Sequence, residues 1–338
     1  MNRKPKVVIT DYDYGDVDIE RHILEAAGAE VVALQAKRED DLFEEARDCD
    51  AIMNQYARVG ARTIAVMERC RVIARYGVGV DIVDVAAASA KGILVTNVRD
   101  YCTDEVADHA ISLWLALARR LFDYDRATHQ GIWRWQSGSP IHRLRGRTVG
   151  IVSFGKIGQA IASRARPFGV DLIVYDPYLS PDVAQSLGVR QVDKATLLAE
   201  ADVLMMQVPM TAETRHFLGE AEFAAMKPGA LVVNTGRGPT IDNKALYRAL
   251  VEGRIAGAGL DDPEEEPAKL ADWSPAGNPI FTLPNVVVTP HVAYYSEESI
   301  RSAREIAASE VARVLTGQAP RNPVNAAALL APEGKAYA

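Results

Sequence analysis

Thr148-Val149-Gly150-Ile151-Val152-Ser153-Phe154-Gly155-Lys156-Ile157-Gly158 is the stretch on which the reading of this chain turns. Its first five residues form a short apolar run of the kind that makes a buried strand. Glycines then punctuate a turn, and a helical pattern begins near Gln159. A tight strand–turn–helix junction leaves backbone N–H groups unpaired at the positive end of a helix dipole, which suits a pyrophosphate. The spacing is that of the dinucleotide fingerprint, except that Ser153 stands where its first glycine belongs. A Cβ at that position has to be accommodated by the turn or held under strain. Asp176 ends the next apolar run, Leu172-Ile173-Val174-Tyr175. A carboxylate there hydrogen-bonds ribose hydroxyls and repels a 2′-phosphate, so NAD is expected in preference to NADP.

Working outward, further apolar runs follow at 203–206, 230–234, 256–260 and 286–289, and five more precede it at 7–10, 31–34, 51–53, 72–74 and 93–96. Amphipathic segments such as 19–27 and 63–69 separate them. Near-continuous apolar strands alternating with helices predict parallel sheets covered on both faces. A long helical pattern spans 104–121, and a last one runs from Glu297 to Leu315, stopped by Gly317 and Pro320. At 338 residues the chain exceeds what one core usually supports, roughly 250–300 residues. The expected fold class is α/β, with two doubly wound parallel-sheet domains.

The formal charge of −7 argues against nucleic acid or an anionic membrane as partner, since both select a concentrated positive field. No apolar run is long enough for a membrane span; the most apolar helical stretch is stopped by Arg119-Arg120. Cys49, Cys70 and Cys102 are too few and too unpatterned for a disulfide framework or a metal site, and read as thiols of a reducing cytoplasm. No metal is expected.

Three charged residues sit at strand ends in the last third of the chain. They are Arg237 in Asn234-Thr235-Gly236-Arg237-Gly238, Glu266 in Asp261-Asp262-Pro263-Glu264-Glu265-Glu266-Pro267, and His291 in Thr289-Pro290-His291. An imidazole titrates near working pH and can deliver a proton. A guanidinium can grip a carboxylate with two parallel hydrogen bonds. A carboxylate beside the imidazole fixes its orientation. A proton donor, an anion clamp and a dinucleotide turn are the parts needed to reduce a 2-oxo acid.

The order and wording of these strings resemble the D-isomer-specific 2-hydroxyacid dehydrogenase family over almost the whole chain, with Tyr175 to Ser180 and His291 to Glu297 most similar to the branch of phosphoglycerate dehydrogenase-like and C-terminal-binding proteins. The resemblance implies a flavodoxin-like substrate domain, 1–100 plus 293–338, and a Rossmann NAD-binding domain, 101–292, with a cleft between them. It implies that Arg237, Glu266 and His291 are catalytic. It also implies cofactor contacts at Thr103, Ser153, Phe154, Gly155, Lys156, Ile157, Asp176, Val208, Pro209, Thr214, Thr235, Gly236, Arg237, Asp261, His291 and Ala293. Gln207 departs from the pattern, in which a histidine precedes the Val-Pro pair.

Substrate contacts are implied at the glycine-rich loop Tyr76, Gly77, Val78 and Gly79, whose amides hold the substrate carboxylate, and at Arg237, His291 and Tyr294. The partner is then a small 2-oxo or 2-hydroxy acid, and the chain is expected to pair as a homodimer through the long helix and the arm that carries Trp133 and Trp135. The leading expectation is an NAD-dependent enzyme that interconverts a 2-oxo acid and an (R)-2-hydroxy acid. The alternative is a corepressor-like interaction protein that senses NAD(H) on the same fold.

Overall fold

The computed structural model describes residues 3–264 and 273–330. Contacts divide the chain into two compact units, Met1–Tyr101 with Ser296–Ala338, and Cys102–Tyr295.

The first unit is built on five parallel strands: β1 (Lys6–Ile9), β2 (Glu30–Ala33), β3 (Ala51–Asn54), β4 (Val72–Arg75) and β5 (Leu94–Thr96). Their order is β2-β1-β3-β4-β5. Buried residues lie on both faces, as an all-parallel sheet requires: Val7, Ile9, Met53 and Ala74 on one side, Val8, Ile52, Ile73 and Val95 on the other. The long helix Glu297–Leu315, followed by a short further helix Ala326–Leu330 that the sequence-based reading did not include, returns to this unit and contributes Ala303, Ala307, Ala308 and Val311 to its core. Arg304 on that helix is buried, and its guanidinium donates to both Glu20 carboxylate oxygens, at 2.9 and 2.8 Å. Such a fork offsets the cost of taking both charges out of water, and it ties this helix to the first.

The second unit has seven parallel strands: β6 (Thr148–Val152), β7 (Asp171–Tyr175), β8 (Arg190–Gln191), β9 (Val203–Met206), β10 (Ala230–Asn234), β11 (Ile255–Leu260) and β12 (Val286–Val288). Their order is β12-β11-β10-β9-β6-β7-β8. The direction of winding reverses between β6 and β9, so a crevice opens above the C-terminal ends of those strands, where open α/β sheets bind their ligands. Two edge features differ from the sequence-based reading. β8 is only two residues long and polar, too short to carry a hydrophobic period. The helical pattern at 104–121 is a helix Thr103–Ala118 followed by a second, Leu121–His129. They are separated at Arg120, whose φ of 54° no helix continues.

Candidate active site

In the second unit the expected cofactor residues gather along the C-terminal edge of the seven-stranded sheet. β6 ends at Val152, and the helix Lys156–Ala165 starts four residues later. Gly158 sits where an added Cβ would come within 2.5 Å of the Ser153 carbonyl oxygen, so only glycine lets the helix close onto the turn. At Gly155 a Cβ would meet no atom within 4 Å, which leaves open space in front of the helix N-terminus. The first N–H groups of a helix lack intrahelical acceptors. A helix of ten residues with open space before it therefore suits a pyrophosphate, and the turn fits NAD. Phe154 has its ring in the core, so it meets this space with backbone alone.

Ser153 adopts φ 72°, in the left-handed region where a Cβ is costly. Its N–H donates to Tyr175 O at 2.9 Å, which leaves the turn little freedom to relax. Ser153→Gly is therefore expected to stabilise the protein by about 0.5–1 kcal/mol, the strain relieved exceeding the chain entropy that glycine adds. A rise of roughly 1–3 °C in melting temperature corresponds to that gain. A fall in melting temperature would show that the serine side chain contributes more than its backbone costs.

Asp176 leaves β7 with both carboxylate oxygens engaged. Oδ2 accepts from Phe154 N at 2.7 Å, and Oδ1 accepts from Tyr178 N at 2.8 Å. The carboxylate thus fixes the glycine-turn backbone and its own following turn, and each oxygen keeps a further lone pair for a donor. Across the winding reversal, Gln207 Nε2 donates to Thr235 Oγ1 at 2.7 Å, linking the ends of β9 and β10. Val208 is buried, Pro209 is exposed, and Thr214 closes their loop by donating to Pro209 O at 2.6 Å. Thr103 is the first residue of its helix, which packs against the helix Lys156–Ala165 and against β10 and β11.

Arg237 follows β10 in a strictly held backbone. Its carbonyl accepts from Asn234 Nδ2 at 3.1 Å and from Thr240 Oγ1 at 2.6 Å, and its Nη1 donates to Gly236 O at 3.1 Å. At Gly238 an added Cβ would lie 2.3 Å from the Pro263 carbonyl, so the arginine turn and the acidic loop after β11 are in direct contact. Glu264 in that loop accepts from His216 Nε2 at 2.6 Å, from Arg215 Nη2 at 3.1 Å and from Asn243 N at 3.2 Å. It is an anchor of the loop rather than a solvated charge. Glu266 lies outside the described residues.

His291 also adopts the left-handed region, with φ 55°. Its N–H points to Asp261 O at 2.7 Å and Thr289 O at 3.0 Å. Asp261 is buried, and its carboxylate accepts from Thr289 Oγ1 (2.6 Å), Val292 N (2.9 Å) and Ala293 N (2.9 Å). One buried anion, fully compensated by donors, therefore shapes the whole turn from Thr289 to Ala293. Tyr294 meets the imidazole edge to face, with ring centroids 6.2 Å apart. His109 belongs to this group as well: its Nε2 is 2.9 Å from Thr289 Oγ1 and 3.6 Å from Asp261 Oδ1. Nothing in the helical pattern around His109 distinguishes it from a surface histidine, because its partners are supplied by strands far along the chain.

The glycine-rich loop lies in the first unit, after β4. The Tyr76 ring is buried edge-on to Tyr14, with centroids 5.6 Å apart. The Tyr76 amide is used by Asn54 O, and that of Gly77 by Arg75 O. Val78 and Gly79 are thus the loop positions whose amides stand open among the described residues.

A winding reversal with a helix-terminus cradle, and an imidazole and a guanidinium on the same sheet edge, is the architecture of a nicotinamide-dependent oxidoreductase. Residues 111–293 match the family described as D-isomer specific 2-hydroxyacid dehydrogenase, NAD binding domain. The chain is 39% identical over 288 residues to a glyoxylate reductase from Korarchaeum cryptofilum, covering 84% of this chain and 85% of that one. It is 39% identical over 322 residues to a D-3-phosphoglycerate dehydrogenase from Methanocaldococcus jannaschii, covering 95% of this chain but 59% of that longer protein. Among solved structures, D-lactate dehydrogenase from Aquifex aeolicus complexed with NAD and lactic acid superposes with a TM-score of 0.85 at 28% identity, over 92% of this chain and 96% of that one. The chain belongs to the D-isomer-specific 2-hydroxyacid dehydrogenase family, the NAD-dependent oxidoreductases of 2-hydroxy acids.

Proposed function

We propose that this chain reversibly reduces a small 2-oxo acid to the (R)-2-hydroxy acid, and the observation that carries the reading is the His291 turn. An imidazole is held at φ 55° by a buried carboxylate, on the sheet edge that also carries Arg237 and the cofactor turn. Strain of this kind persists only where the surroundings over-determine it, and it concentrates at functional sites. When bound, NADH supplies the hydride. His291 delivers the proton that the substrate oxygen takes up, and Glu266 orients its ring. Arg237 grips the substrate carboxylate and polarises the adjacent carbonyl.

Asp176 holds the adenosine ribose, with backbone of the Ser153–Ile157 turn on the phosphates. Thr103, Val208, Pro209, Thr214, Thr235, Gly236 and Ala293 line the rest of the nucleotide path. Asp261 acts by holding the His291 turn. Within the first unit the open amides of Val78 and Gly79 are the proposed takers of an anionic group, and within the second Tyr294 is proposed to face the substrate side chain. The domain division proposed for this chemistry is a substrate domain of 1–100 plus 293–338 and a nucleotide domain of 101–292.

The proposed assembly is a homodimer. Its support is the helix Leu121–His129, which buries none of its own residues, and the following arm, where Trp133 is 88% and Trp135 70% exposed. Exposed apolar surface of this kind marks an association site. A reducing cytoplasm is the proposed compartment, in keeping with three free cysteines.

The test is oxidation of NADH and of NADPH against glyoxylate, hydroxypyruvate, pyruvate and branched and aromatic 2-oxo acids, on protein whose mass in solution is measured first. Turnover of at least one small 2-oxo acid is expected, with NADH preferred by at least about tenfold in kcat/KM. The scattering mass should be that of two chains. No turnover with any member of the panel refutes the reductase reading. Equal efficiency with NADPH refutes the role given to Asp176, and a fully active monomer refutes the dimer.

A further inference from the structure

Two thiols meet at the N-terminal ends of β3 and β4. Arg47 O accepts from Glu68 N at 2.9 Å and Asp50 O accepts from Arg71 N at 2.9 Å. The regular strands follow at once, with Ala51 opposite Val72. Cys49 precedes the Asp50 acceptor and Cys70 precedes the Arg71 donor, so the two cysteines flank one backbone hydrogen bond, and their thiols are neighbours. Each also approaches a carbonyl, Cys49 Sγ to Ala46 O at 3.2 Å and Cys70 Sγ to Val72 O at 3.4 Å. Hydrogen-bonded extended segments run about 4.8 Å apart, and a disulfide spans a Cα separation of about 4.4–6.8 Å. Cys49 is fully buried, whereas Cys70 is partly exposed and lines a cavity of about 620 Å³ together with Arg47, Met67, Glu68 and Lys91. In that lining Arg47 stands with the Glu68 carboxylate, and Lys91 Nζ donates to the carbonyls of Ile64, Ala65 and Met67.

We propose that Cys49 and Cys70 form a dithiol site that closes reversibly to a disulfide, with Cys70 as the attacking thiol and a glutathione-type disulfide as the oxidant. Cys70, once deprotonated, attacks one sulfur of the oxidant, whose S–S bond breaks and releases one glutathione thiolate. Cys49 gives up its proton and attacks Cys70 Sγ in the mixed disulfide, and the second glutathione leaves. Two protein thiols are oxidised to one S–S bond, and one oxidant disulfide is reduced to two thiols. The Cys49 thiol and burial together hold Cys70 well above the ordinary thiol range, so the thiolate is scarce at neutral pH and the reaction accelerates as pH rises. In a reducing compartment the pair stays open. The closed form ties the entry of β3 to the entry of β4, the strand that leads into the Tyr76–Gly79 loop.

The reduced protein, kept native at mildly alkaline pH, is incubated with oxidised glutathione, followed by thiol titration in denaturant and non-reducing peptide mapping. Two of the three thiols should disappear, a Cys49–Cys70 linked peptide should form, and dithiothreitol should restore both. Closing a loop of this kind removes entropy from the unfolded chain, so the oxidised form should melt at least about 3 °C higher than the reduced form. Cys49→Ser should stop at a single glutathione on Cys70, and Cys70→Ser should take up none on Cys49. Three thiols remaining in the wild type, a glutathione adduct on Cys70 that never resolves, or undiminished thiol loss in Cys70→Ser would each overturn the assignment.

Discussion

His291→Ala should lower kcat for 2-oxo acid reduction by about 10²–10⁴-fold, the range by which a positioned general acid accelerates proton transfer. Affinity for NADH should change little, because the cofactor turn at Ser153–Gly158 is a separate piece of backbone. The substitution removes the ring and leaves its support in place. The turn is set by Asp261, which accepts the amides of Val292 and Ala293 and offers its carbonyl to the backbone N–H of residue 291. Alanine keeps a Cβ at φ 55°, so it neither relieves nor adds backbone strain. Melting temperature should therefore stay within about 2 °C of the parent. Lost turnover with unchanged stability and unchanged NADH affinity locates the effect in chemistry. A variant that reduces the preferred oxo acid at near-parental rate would mean that the proton comes from elsewhere.

The sheets were legible because parallel strands covered on both faces must be continuously apolar, as Val149 to Val152 and Leu231 to Val233 are. The cofactor turn was legible in spite of Ser153, because its strand and helix neighbours restrict the meaning of Gly155 and Gly158 more than a single missing glycine loosens it. The break at Arg119-Arg120 was not, since neither residue forbids a helix and the left-handed φ of Arg120 is imposed by tertiary structure. Asp176 was legible as a carboxylate at a strand end, and the two backbone amides its oxygens accept from were not. His109 carried no local signal at all. It joins the site only because the helix Thr103–Ala118 packs beside β10 and β11, which brings it to Thr289 and Asp261. Cys49 and Cys70 meet for the same kind of reason, a backbone bond between Asp50 and Arg71 at two strand entries that no residue spacing announces. What sequence lacks in each case is the partner, which long-range packing supplies.

Arg237→Ala should lower kcat/KM for the 2-oxo acid by about 10³-fold, with KM rising as well as kcat falling. A guanidinium that only bound the carboxylate would act equally on ground state and transition state and would appear in KM alone. One that also polarises the carbonyl must appear in kcat. The backbone at this position does not depend on the side chain's charge. The residue 237 carbonyl is held by Asn234 Nδ2 and Thr240 Oγ1, and Gly238 is pressed against Pro263 too closely for any Cβ. Removing the guanidinium forfeits the Nη1 bond to Gly236 O at 3.1 Å, while the backbone bonds of the turn stay in place. Arg237→Lys separates charge from shape. An ammonium keeps the positive charge but cannot present the planar fork, and at a bidentate site it should recover less than about tenfold of the loss. Recovery close to the parental rate by lysine would show that a point charge suffices and that the fork is not used. Retention of kcat/KM within tenfold in Arg237→Ala would remove the anchor role altogether.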